Sequence, residues 1–109
     1  MRKIVVPTDF SENAFNALKY AVELFKYEKC DFFLLHAFAD EVYNDMAIIN
    51  KTLLDDLKDS VQVNSEKEIA KIILDIKEYS PNPHHHFNPI SEFGSLVDEI
   101  NEVVNKENA

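Results

Sequence analysis

Ile4, Val5 and Val6 form an unbroken apolar, β-branched run that stops at Pro7, and from Ser11 onward a helical repeat takes over. A strand that is apolar at successive positions is buried on both faces, as in parallel sheets covered by helices on each side. Ser11 stands where an N-cap belongs, and Phe10 and Phe15 have the spacing of a hydrophobic staple. Ala14, Leu18, Ala21, Val22 and Phe25 recur at helical intervals, with Glu12, Asn16, Lys19, Glu23 and Lys26 on other faces. This junction predicts a buried strand, a tight acidic turn and a helix lying back on the sheet.

The same alternation continues along the chain. "CDFFLLHAF" from Cys30 reads as a second apolar strand, and "ADEVYND" as a polar connection. Met46, Ile49, Leu53, Leu57, Val61, Ile69, Ile73 and Ile76 then recur at steps of three or four. Unbroken from Asp45 to Tyr79, this helix would span about 50 Å at about 1.5 Å per residue. "SEKE" from Ser65 has capping-box form, so a bend or break is predicted near Asn64. "SPNP" at 80–83 is a stop signal. "HHHFNPI" reads as a third strand weakened by Pro89, and "GSLVDEINEVV" as a short helix with Ser95 and Asp98 at capping-box spacing. The order βαβαβα implies a parallel sheet with right-handed crossovers.

Composition narrows the function classes. The 109 residues suit one domain, and with 46% apolar and 11% aromatic residues they can bury a core. Eleven lysines and arginines against 20 carboxylates give a net charge of -9 with no basic run. That balance argues against nucleic acid and anionic membranes as partners, because both reward clustered cations. The first apolar run ends at Pro7, too short for a signal peptide or a membrane span. The lone Cys30 fits a reducing compartment and reads as a small hydrophobe at a strand start, so a cytoplasmic chain is expected.

Ligands of parallel α/β sheets bind at the carboxyl ends of the strands. Asp9 falls there, where its carboxylate could accept hydrogen bonds from a ribose hydroxyl or an adenine amine, or could simply shape the turn with Ser11. Of the histidines at 84–86, only His84 and His86 would share a strand face, too few for a metal site. Asp55–Asp56 and Glu66–Glu68 lie among lysines on one helix and read as a solvated face. No nucleophile, base and orienter stand out as a set, so no enzyme is expected.

"KIVVPTDFSENAFNALKYAVELF" followed by "FFLLHAF" resembles the amino-terminal half of the universal stress protein family. The Pro-Thr-Asp-Phe-Ser turn, the pairs Asn16-Ala17 and Tyr20-Ala21, and the Leu-Leu-His end of the second strand carry the match, and "GSLVDEI" resembles the segment entering the family's third helix. The resemblance implies a flavodoxin-like or Rossmann-like α/β fold. It also implies that Pro7, Thr8, Asp9 and Ala37 would hold the adenosine of ATP or another adenine nucleotide. Nucleotide-binding members then carry a loop spaced Gly-x2-Gly-x9-Gly-Ser for the phosphates, whereas this chain has one glycine, Gly94. "NKENA" resembles the run into the family's fourth strand. Residues 1–109 are therefore expected to form the first three βα units of a domain, with nucleotide binding belonging to the full-length protein and no cofactor in this chain.

Three function classes follow: a nucleotide-sensing stress domain, a protein-interaction module without nucleotide binding, and a phosphoacceptor receiver. The receiver needs an aspartate ending strand three, where Phe87, Asn88, Pro89 and Ile90 stand. The family's sheet order would leave Ile4, Val5 and Val6 as an unpaired edge and uncover the flank of the first helix, from which a homodimer is expected.

Overall fold

A computed structural model describes residues 2–38 and 51–108, with side chains from residue 56 onward in the second segment. The order is β1 (Arg2–Pro7), α1 (Glu12–Leu24), β2 (Cys30–Ala37), α2 (Lys51–Tyr79), β3 (His85–Glu92) and α3 (Leu96–Glu107). The expected polar connection after β2 and the first helical turns at Met46 and Ile49 lie outside the described residues. The strands form one parallel sheet in the spatial order β1-β2-β3, with Ile4 opposite Phe32 and Phe32 opposite Phe87.

Alternation along the strands sends two apolar sets to opposite faces. Val6, Cys30, Phe32 and Leu34 meet Leu18 and Val22 of α1 and Ile69 and Ile76 of α2 in the main core. Phe33 and Leu35 turn to the other face, where α3 lies against β1 and β2 and buries Val103. Cys30 is fully buried, and that burial pushes its thiol pKa up. It behaves as a core atom rather than a nucleophile.

Helix α2 corrects one expectation, because it runs unbroken for 29 residues through Asn64, about 43 Å at about 1.5 Å per residue. No glycine or proline interrupts Lys51–Tyr79. Ser65 does not cap a new helix. Its side chain is fully buried and bonds inward to the sheet, while Gln62 donates to Glu66 across the same turn at 2.9 Å.

Strand β3 survives Pro89 because of where that residue faces. The Cys30 amide donates to the His84 carbonyl and the Phe38 amide to the Glu92 carbonyl. Alternate residues of a parallel strand turn their backbone groups the same way, so even-numbered positions bond β2 and Pro89 lies on the outer edge. A proline there costs no ladder bond. The same rule refines the expected open edge of β1. Arg2 and Thr8 donate toward β2, so the outward groups belong to Lys3 and Val5, not to Ile4 and Val6.

Candidate functional site

The turn after β1 is held by short local hydrogen bonds. The Thr8 amide extends the ladder to the Leu35 carbonyl at 2.8 Å, and Thr8 Oγ1 accepts from the Phe10 amide at 3.1 Å. Asp9 Oδ1 accepts from the Ser11 amide at 3.0 Å, and Ser11 Oγ caps α1 by accepting from the Ala14 amide at 3.1 Å. Phe10 is left-handed at φ 65°, a conformation that costs a non-glycine residue roughly 1–2 kcal/mol. Its ring offsets part of that cost by packing on the core and lying 4.3 Å from the His36 ring.

Beneath the turn, His36, one residue before the end of β2, sits in a buried polar chain. Its Nδ1 lies 2.6 Å from Ser65 Oγ of α2, and Ser65 Oγ lies 2.7 Å from Ser91 Oγ of β3. Phe10 and Phe38 flank the imidazole, with ring centroids 4.3 and 5.7 Å away. The chain ties the carboxyl ends of two strands to the middle of the longest helix. Ser65 has no exposed surface, so no substrate reaches its hydroxyl.

Pro7, Thr8, Asp9 and Ala37, the four residues expected to contact adenosine, line one cleft of about 490 Å³ at the carboxyl ends of β1 and β2. Ser11, Asn13 and Ala14 from the start of α1, His36, and Leu96 from the start of α3 complete its wall. Bonds from the Ser11 hydroxyl and amide, and to a smaller degree the charge of His36, hold the Asp9 carboxyl below the usual carboxylate range. Asp9 is exposed and ionised at neutral pH, offering its remaining lone pairs to a neutral donor while disfavouring phosphate.

Sequence reasoning missed Ser65, Ser91 and Leu96. Ser65 carried a signal, because it interrupts the apolar spacing Val61–Ile69–Ile76 on the inward stripe of α2, where a lone serine needs a buried partner. Leu96 carried none, since its approach to the β1 turn depends on how α3 crosses the sheet.

The three consecutive histidines do not converge. His84 and His86 are exposed, while His85 is buried with Nε2 donating to the Phe25 carbonyl at 2.9 Å. Among the described residues no three His, Cys, Asp or Glu side chains stand together as metal ligands, and no helix is long and apolar enough to cross a membrane. Strand β3 ends in Ser91 and Glu92, without a receiver's aspartate.

The model of the universal stress protein family matches residues 1–109. The chain belongs to this family. This universal stress protein domain superimposes on the hypothetical protein MJ0577 with a TM-score of 0.76 at 22% identity, covering 99% of this chain and 69% of that one. Against the hypothetical protein PH0823 the TM-score is 0.65 at 26% identity, with coverage of 99% and 73%. These neighbours share its flavodoxin-like α/β fold. No curated protein matches the sequence.

Proposed function

We propose that this universal stress protein domain recognises the adenosine part of an adenine nucleotide in the cleft walled by Pro7, Thr8, Asp9 and Ala37. The observation that carries this reading is the convergence of those four residues on one cleft beside an ionised, solvent-facing carboxylate. Asp9 and neighbouring backbone groups meet ribose hydroxyls or the adenine amine. Within residues 1–109 the single glycine supplies no backbone cradle for phosphates, so the triphosphate adds nothing to affinity. The role is binding rather than turnover.

Titration calorimetry of the 109-residue chain with adenosine and with ATP tests this. Expected are weak affinities that agree within about threefold and fall at least about tenfold in Asp9→Ala, a change of about 1.4 kcal/mol. Micromolar ATP binding much tighter than that of adenosine, or an unaffected Asp9→Ala, overturns it.

A second reading, a self-associating interaction module, is favoured by one flank of α1. Lys19 turns toward α2, its ammonium 4.9 Å from the Tyr79 ring. Helical rotation therefore puts Ala17 and Leu24 roughly opposite, above the outer edge of β1, where Leu24 is 61% exposed. Among the described residues β1 has no second neighbour. Under this reading two copies pair antiparallel along Lys3 and Val5 about a two-fold axis, and equilibrium sedimentation reports a dimer.

A further inference from the structure

A larger cleft, of about 790 Å³, lies along the outer edge of β3 between α2 and α3. Its floor is apolar, formed by Ile73 and Leu74 of α2, Pro89 and Ile90 of β3 and Val103 of α3. Its rim is acidic, with Glu66, Glu92, Glu99, Glu102 and Glu107 against the single cation Lys106. None of these carboxylates has an ion-pair partner among the described residues, where the one ion pair is Arg2–Glu28. Burial, followed by the charges of Glu102, Glu92 and Asp98, pushes the Glu99 carboxyl above the usual carboxylate range. The carboxylates thus repel one another, and a cation set among them would relieve that repulsion.

The shape selects the kind of partner. Pro89 removes the outward amide, and the Ser91 carbonyl already accepts from Gln62 Nε2 at 3.0 Å, so an added strand would find an interrupted ladder. Side chains, not backbone, must make the contact. From Gln62 to Leu74 the cleft runs about 18 Å along α2 at about 1.5 Å per residue, close to three helical turns. Leu74 is 66% exposed on this floor and has the reach to meet an apolar ridge.

We propose that this cleft docks a basic amphipathic helix of a protein partner, its apolar ridge on the Leu74–Ile90–Val103 floor and its lysines or arginines on the glutamate rim. The recognition is helix-in-groove, with apolar contact holding the ridge and the carboxylates selecting cationic flanks. The adenosine cleft takes no part, so this proposal stands whether or not nucleotide binds.

Fluorescence anisotropy of the whole chain with a labelled synthetic peptide of about four helical turns is the test, with leucines at i, i+3, i+4 and i+7 and lysines elsewhere. Expected is saturable binding that weakens at least about tenfold in Leu74→Asn, about threefold in Glu102→Gln, and strongly on raising salt. Both positions are exposed, and circular dichroism verifies that each variant keeps the fold. A scrambled peptide of the same composition should bind at least about tenfold more weakly. Equal binding of the scrambled peptide reduces the cleft to non-specific charge and overturns the proposal, as does an absence of binding. Spermine that binds with the same sensitivity to both variants identifies a small-cation site instead. A dimer that Leu74→Asn dissociates makes the occupant a second copy, and either result overturns the helix.

Discussion

The two edges of the sheet solve the same problem differently. At β3, Pro89 takes the outward position, Gln62 occupies the Ser91 carbonyl, and α2 and α3 overhang the strand with glutamates. At β1, Lys3 and Val5 have no such cover for their outward backbone groups among the described residues, beneath an exposed apolar flank of α1. An edge blunted by proline and charge resists strand addition, whereas a β-branched edge invites it. The difference separates the two proposals: side-chain docking suits the blunted β3 edge, and backbone pairing, if two copies associate, suits β1.

The largest effect is expected where α2 is anchored over the β3 side. Ser65→Ala leaves His36 Nδ1 and Ser91 Oγ without the hydroxyl they share, in a region where Ser65 and His36 are buried. The expected loss is about 1–3 kcal/mol, read as a fall in the urea midpoint with an unchanged slope. An unchanged midpoint would show that the polar chain contributes nothing to holding the helix.

Proline can next be moved from one edge to the other. Val5→Pro removes an outward amide from β1 and is expected to weaken self-association at least about tenfold, equivalent to about 1.4 kcal/mol, while leaving the monomer folded. Sedimentation across a dilution series measures this, and a dimer of unchanged affinity would remove β1 from the interface. Pro89→Val is the mirror experiment. It restores an outward amide at β3 and should add concentration-dependent light scattering beyond that of the parent chain, a gain that persists when Val5→Pro is also present. If solutions stay equally clear, overhang by the helices rather than the proline protects that edge.

The smallest effect belongs to the glutamate rim. The folded pKa of Glu99 is raised, so the folded state holds its proton more tightly than the unfolded chain and stability falls as pH rises from the unfolded value through the folded one. Glu99→Gln should therefore stabilise the domain at neutral pH by less than about 1 kcal/mol, with the gain vanishing below about pH 4. Thermal unfolding at both pH values checks the sign. Asp9 has the opposite linkage, since its lowered folded pKa gives a contribution present above the unfolded value and lost in acid. A pH-independent gain from Glu99→Gln would mean that rim repulsion is not its source.

Local sequence determined the elements of this protein and the position of its turn. The apolar run Ile4–Val6, the cap at Ser11 and the stop at Ser80–Pro83 each act over a few residues, so they are readable without knowing what lies across the sheet. The helix-forming stretch through Asn64 was also local, but the capping-box pattern at Ser65 had two meanings, and only the sheet beneath it chose between them. Placement of Ser65 on His36 and Ser91 joins residues 29 and 26 positions apart in the chain, and the acidic cleft joins α2, β3 and α3. Such sites depend on register and crossover, which follow from how the apolar faces pack together. Pro89 shows the limit most directly: it weakens a strand in isolation and protects one at an edge, and only the pairing order decided which.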